Sequence, residues 1–555
     1  MWLLRNRYYQ LLPFLLLYLL FLLGQFIGVM DIDAAQYAAI SMEMMESGDF
    51  LQTKLRGEDY LDKPPLLFWL SALSFQLFGI NHFAFRFFPI LISFLGFYAT
   101  YRLARLYYNE VISYLSALLI ASSQACILMN HDLRTDNLLT SFVIVAIWQI
   151  AAYNIHKKWK YLIGGFVAIG LAMLAKGPIG LMAPIFAFSV DFAVRRQWKF
   201  FFRWEWLVGI GIAALLLLPM SIGLYQQFDA QPVKGVSGLR FFYWTQSFGR
   251  ITGENTWSNN PDPLFQVHSF LWGFLPWSLL AFAGYIRETL RLWKSRFKLP
   301  NNDEALVWGG LTLVFIAMSL SKFQLPHYTY PVFPLAAILG AKFIYYLIYH
   351  PKIQKGFRWA LGIQIFTISL LWLLAGVLLL HVFRSPPIWI WLMIVPFLGA
   401  VIISFWKLSY RIDRLVMPSF LTIVGVNIVL NGHFYPRLLQ YQSEIAVAQY
   451  VQKREDIPLN RVYRAGASHF HSLDFYMRGI VPIISDVHQL KSKGAGEYWV
   501  YVDQKYLAIF QTVYPSTTIV KKFNDFPVTT LNINFLNRAT RSSTLQNTYL
   551  IRITQ

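Results

Sequence analysis

The 555-residue chain reads as a mainly α-helical polytopic membrane protein. About thirteen spans are expected, with external juxtamembrane helices and a small C-terminal α/β domain. Three observations predict this class. The chain is 56% hydrophobic and 17% aromatic but only 14% charged, whereas a soluble domain is about 25% charged. Many apolar runs reach the roughly 17–25 residues that cross a bilayer. The residues after about 435 break from this pattern and hold no such run. The same composition excludes disorder, a fibrous repeat and an ordinary cytosolic enzyme.

Spans are predicted near 11–30, 84–108, 113–129, 137–154, 161–175, 177–194, 206–225, 268–286, 304–320, 328–348, 359–382, 386–406 and 415–433. The first is preceded by Arg5 and Arg7, exceeds a usual signal core and is followed by no small-residue cleavage site, so it reads as a retained span. Cytoplasmic loops carry excess Lys and Arg, which tests the map. With Arg5 and Arg7 inside, Arg102, Arg105 and the basic clusters in 157–160, 195–203, 287–298, 352–358 and 407–414 all fall on one side. The other side holds single cations in its short loops: Arg134, Lys176, Lys322 and Arg384. A slip of one span would destroy this agreement. The net charge of +20 is therefore topological and calls for no nucleic-acid partner. The lone Cys126 allows no intrachain disulfide.

Three external regions follow: 31–82, 226–267 and the tail from about 434. The chain divides into a membrane module, 1–435, and an external unit, 436–555. In the tail, 461–464, 498–503 and 549–554 read as strands, and 443–453 and 504–512 as helices.

Polar residues gather in four short external segments. Asp31 and Asp33 leave the membrane at the end of the first span, and Asp62-Lys63-Pro64-Pro65 follows. Asn130-His131-Asp132-Leu133-Arg134-Thr135-Asp136 joins spans 3 and 4. Ala175-Lys176-Gly177-Pro178 turns between spans 5 and 6, and Ser321-Lys322 to Tyr328 lies between spans 9 and 10. Each has a structural explanation taken singly: a solvated helix end, an N-cap at Asp136, a hairpin anchored by Lys176, a plain loop. Together they place carboxylates and spaced cations on one face of the bilayer. Cations hold a phosphate leaving group, and a carboxylate takes a proton from an incoming hydroxyl. A phosphate-bearing lipid substrate suits this pattern. Neither a Walker A pattern, a dinucleotide fingerprint nor an HExxH pair occurs.

These motifs resemble the polyprenyl-phosphate-sugar glycosyltransferases of the GT-C type, above all the bacterial lipid A aminoarabinose transferases, which share a module with protein O-mannosyltransferases. The likeness covers most of 10–435. It rests on Asp33 with Tyr37 and Ser47-Gly48-Asp49, on 62–69, on Asp136, on 175–178, on Pro276-Trp277-Ser278, and on Lys322 with Tyr328 and Pro331. The resemblance implies a bacterial inner-membrane enzyme with a cytoplasmic N-terminus, and with its active site and tail in the periplasm. It would move a sugar from undecaprenyl phosphate to an envelope acceptor, most simply lipid A or a related glycolipid.

Carried over residue by residue, Asp33 corresponds to the catalytic aspartate and Asp136 to the acidic residue of the second external loop, expected to hold Lys63 in place. Lys63, Arg250, Lys322 and Tyr328 are the expected donor-phosphate contacts. Asp31, Asp62, Asp132 and Lys176 are expected to support them. The chain departs from the family where Ala34 follows Asp33 and where Asp62 replaces a glutamate near which a metal is known; metal use stays open, and no other cofactor is implied. Two other readings of the acceptor or activity are kept, a protein O-mannosyltransferase-like enzyme and a secondary transporter. A transporter would place ionisable groups near the bilayer midplane in paired repeats, whereas these residues lie at one interface. A non-catalytic scaffold would leave the aligned charges unexplained.

Overall fold

The computed structural model describes residues 7–555 apart from 231–234, 247–248, 250–251, 253, 255–258, 260–261, 300–302, 351–353 and 467–470. Helices dominate the first 440 residues, and every span expected from the sequence falls on helix. Continuity differs from expectation in two places. The run at 113–129 is two helices, Glu110–Ala121 and Gln124–His131, bent by 49°. Ser122 and Ser123 turn their hydroxyls back on the carbonyls of Leu118 and Ile120 at the break, a bond that competes with helix geometry. The run at 268–286 splits into Phe265–Gly273 and Ser278–Lys294. Pro276, which has no backbone N–H to donate, lies between them.

Among the described residues, eight helices are long and apolar enough to cross a membrane, or nine if the bent pair is one span. The expected count of thirteen is larger because it also takes in shorter apolar helices. Ile179–Val194 has 16 residues and Leu306–Ser319 has 14. The external segment after the first span holds the helices Asp33–Ser47 and Leu66–Phe78, with a two-stranded hairpin between them.

Burial ranks the helices. Thr135–His156 is central: 83% of its most apolar stretch is buried, against 22% for Ile388–Lys407, which faces outward. At the edge of this core the guanidinium of Arg86 donates to the carbonyls of His131, Gln25, Ile27 and Gly28 at 2.6–3.1 Å. It thereby satisfies carbonyls that two helix ends leave without partners.

The tail contains a four-stranded mixed sheet in the order Val462–Ala465, Glu497–Asp503, Gln546–Thr554, Thr518–Asp525. The first pair is parallel and the others antiparallel. Thr518–Asp525 was not expected. It is a mostly exposed edge strand whose Lys521 and Lys522 interrupt the apolar pattern, and lysines of this kind protect sheet edges.

The tail docks on the segment that leaves the first span. Ser472 donates to both carboxylate oxygens of Asp31, from N at 3.2 Å and from Oγ at 2.6 Å. Gln442 accepts from Asp31 N and donates to Val29 O. Arg56 pairs with Asp474 and donates to Val481 O at 2.7 Å. Burial pushes the Asp31 carboxyl up to about 7, against the Ser472 hydrogen bonds, with Asp525 and Asp474 adding repulsion. Burial likewise raises Glu444, helped by Asp31 and Asp525.

Both folded-state values lie above the ordinary carboxylate range, so the stability they contribute is fully present below about pH 4. It is lost as pH rises through about 7 at Asp31. Amide exchange in Ser443–Gln452 and His471–Met477 is expected to quicken from pH 5 to pH 8 beyond the intrinsic chemical rate. Asp31→Asn should flatten that rise; an identical rise in the variant would rule out Asp31 as its source.

Candidate active site

A cavity of about 510 Å³ opens where the external segments meet the bundle. Its polar lining carries Asp33, Asp62, Lys63, Arg134, Asp136 and Lys176, and part of its wall is apolar, with Leu139, Ile179, Met182, Phe186 and Met318. Short-range geometry delivers each polar side chain. Asp33 opens the helix Asp33–Ser47, and Tyr37 follows one turn later on the same face. Pro64 and Pro65 restrict the backbone between Lys63 and the helix Leu66–Phe78. Asp136 sits in the first turn of the central helix and Lys176 ends Trp159–Lys176. Gly177 then turns the chain at φ +90°, a conformation that glycine adopts without strain. Tyr328 lies in the tight turn Pro326–Val332.

Ion pairs link these segments. Arg134 pairs with Asp33 and, at 3.2 Å, with Asp132. Lys176 pairs with Asp136, whose side chain is 2% exposed. Lys63 pairs with its neighbour Asp62. The Lys176 ammonium also lies 4.5 Å from the Tyr328 ring centroid, a cation–π distance. His327 Nε2 is 3.8 Å from Asp136 Oδ2. Burial opposes the charge on Arg134, but Asp132 and Asp33 outweigh it and hold the proton more firmly than usual. Burial, then the nearby carboxylates, raises the phenols of Tyr37 and Tyr60. Both therefore stay protonated and able to donate; Tyr60 does so to Gln36 Oε1 at 3.2 Å. Among the described residues, each Lys and Arg on the cavity wall is thus held by a carboxylate, three against three.

Of the residues expected from sequence, Asp33, Asp62, Lys63, Asp136, Lys176 and Tyr328 line one cavity. Asp132 stands just behind, against Arg134. Asp31 turns away to the tail. Lys322 does not line the cavity, although its neighbours Ser321 and Phe323 do, and its carbonyl accepts from Asn259 N at 3.4 Å. Arg250 lies outside the described residues. The expected contact between Asp136 and Lys63 is not formed: Lys176 reaches Asp136, and Lys63 turns to Asp62. Asp136 starts one helix of a hairpin and Lys176 ends the other, so the two meet as soon as those helices pack. Among the described residues no three His, Cys, Asp or Glu side chains come together closely enough to hold a metal ion.

Several cavity residues escaped sequence reasoning. Arg134 was visible only as the single cation of a short external loop. Gln36, Tyr60, His327 and Gln246 gave no separate signal, and Gln246, which donates to Asp62 O, comes from a distant loop.

Residues 62–222 match the family profile described as dolichyl-phosphate-mannose-protein mannosyltransferase. An undecaprenyl phosphate-alpha-4-amino-4-deoxy-L-arabinose arabinosyl transferase of Edwardsiella ictaluri is 27% identical over 323 residues, covering 56% of this chain and 55% of the relative. A protein of the same description from Pseudomonas aeruginosa is 29% identical over 325 residues, covering 56% and 54%. These alignments span about half the length of the curated relatives. In three dimensions the whole chain is matched: ArnT from Cupriavidus metallidurans, solved with undecaprenyl phosphate bound, superposes with a TM-score of 0.72. That match covers 97% of this chain and 96% of ArnT at 16% identity, so it speaks to the fold. In sequence and in fold, the chain resembles the GT-C type polyprenyl-phosphate-sugar transferases, with the arabinosyl transferases as relatives and ArnT as a structural counterpart.

Proposed function

We propose that the protein is a polyprenyl-phosphate-dependent glycosyltransferase of the bacterial inner membrane, moving a sugar to lipid A or a related glycolipid. One observation carries this reading: a single cavity sets Asp33, Lys63, Asp136, Lys176 and Tyr328 beside an apolar wall. A lipid phosphate needs both halves, cations for its head and an apolar path for its chain. The arabinosyl transferase relatives and the ArnT fold support the same chemistry. On this reading the N-terminus is cytoplasmic and the cavity periplasmic. Residues 1–435 form the catalytic membrane module and 436–555 a periplasmic unit. The match of 62–222 to the mannosyltransferase profile favours a second reading, in which the acceptor is a protein hydroxyl.

In the proposed reaction the acceptor oxygen attacks the sugar C1 and the bond from C1 to the phosphate oxygen breaks. The electron pair leaves with polyprenyl phosphate, and the anomeric centre inverts. Lys63 stabilises the departing phosphate by leaving Asp62 for it, with Arg250 as a further cation from the long external loop. Tyr328 and Lys176 border the same space. Asp33 takes the proton of a hydroxyl acceptor; with a phosphate acceptor, already ionised, it orients the nucleophile or stabilises charge at C1. Arg134 holds Asp33 Oδ2, which fixes the carboxylate, so a proton transfer requires this pair to loosen as substrate binds.

Purified protein in detergent, given radiolabelled undecaprenyl-phosphate sugars and envelope acceptors, tests the proposal. Wild type is expected to transfer label and Asp33→Asn is not; full activity in Asp33→Asn would sink the assignment. Lys63→Ala should lose about 2–4 kcal/mol of transition-state stabilisation, tens to hundreds in rate. Unchanged turnover would remove Lys63 from the phosphate site.

Lys176→Met separates structure from chemistry. It strands Asp136, 2% exposed, and breaking a buried pair this way costs about 3–5 kcal/mol. Its thermal unfolding should therefore fall well below that of Asp33→Asn, whose carboxylate is 38% exposed. Equal unfolding curves would contradict the structural role.

A further inference from the structure

We propose that a second site, far from the Asp33 cavity, binds one anionic glycerophospholipid of the surrounding membrane by its phosphate. The inference rests on the chain being membrane-embedded and is independent of its catalytic activity. A groove of about 550 Å³ runs between the helices Ser278–Lys294 and Phe333–Tyr349. Arg287, Arg291 and Lys294 line it together with Leu290, Phe343 and Tyr346. The three cations stand at i, i+4 and i+7, so they share one helix face.

Helix geometry places the groove relative to the cavity. Pro331 lines the cavity and Tyr346 the groove, on one continuous helical stretch. Fifteen residues at about 1.5 Å each put them about 22 Å apart along that axis. The groove thus lies toward the opposite membrane interface, on the side where the basic clusters gather.

Its floor is braced by buried charges. Glu288, 3% exposed at the side chain, bonds Arg291 and also meets Lys342 at 3.1 Å. Arg291 pairs with Asp303 as well. Arg291 is therefore neutralised by its neighbours. The Arg287 guanidinium carbon instead lies over the Tyr346 ring, 3.6 Å from its centroid, and Lys294 is exposed at the helix end. A stacked guanidinium keeps its edge N–H groups available for a phosphate. Leu290 is 53% exposed beside these cations.

Head and tail are thus provided together: two cations at the interface, and an apolar path along Leu290 and Phe343 leading into the bilayer. Basic pockets between spans on the cytoplasmic side recognise anionic headgroups in this way. Positive-inside charge alone would give cations without a groove.

Native mass spectrometry of the full chain in detergent tests the site. Phosphatidylglycerol, phosphatidylcholine and inorganic phosphate are titrated separately, and each adduct is identified by mass, which also separates it from any polyprenyl phosphate. One tight phosphatidylglycerol is expected per chain. Arg287→Gln with Lys294→Gln should weaken it at least ten-fold. Leu290→Trp, which fills the groove and keeps its charges, should weaken it as well. Lys158→Gln with Lys160→Gln, exposed cations of the same membrane face, should not. Equal binding of phosphatidylcholine, equal stabilisation by inorganic phosphate, or an equal loss in the Lys158/Lys160 variant would each overturn the proposal.

Discussion

The pairing of Asp136 with Lys176 is the contact on which the rest of the site depends. Asp136 opens the most deeply buried helix of the bundle. A carboxylate placed there without a counter-ion costs several kcal/mol. Lys176 ends the next helix and meets it, so the hairpin Thr135–Lys176 closes on its own charge pair. His327 and Tyr328 pack against the pair, and Arg134, two residues before Asp136, faces Asp33.

Charge balance then shapes the chemistry. Among the described residues, three carboxylates and three cations line the cavity, each engaged with a partner. The apolar wall adds to this, because low polarity strengthens each of these contacts. The tail joins in through Asp31, two residues before Asp33. Its hydrogen bonds from Ser472 anchor the backbone that presents Asp33 to the cavity.

The legibility of the molecule from sequence followed physical lines. The positions of the apolar helices were readable because a bilayer demands long apolar stretches. Asp33, Lys63 and Asp136 were readable because charge beside a membrane stands out against so apolar a background. The breaks at Ser122–Ser123 and Pro276 were missed because hydropathy averages over a window. The edge strand Thr518–Asp525 was missed because its lysines hide the alternation that marks a strand.

By itself the sequence determined that this is a membrane bundle, where its apolar helices fall, and which charged residue types gather at the cavity. All of these follow from local composition, which needs no knowledge of neighbours in space. The tertiary structure alone decided who pairs with whom. Lys176 rather than Lys63 holds Asp136, Arg134 holds Asp33, and Asp31 belongs to the tail. Such choices depend on distances between segments 40 to more than 400 residues apart, and an ion pair forms with the nearest partner that packing supplies.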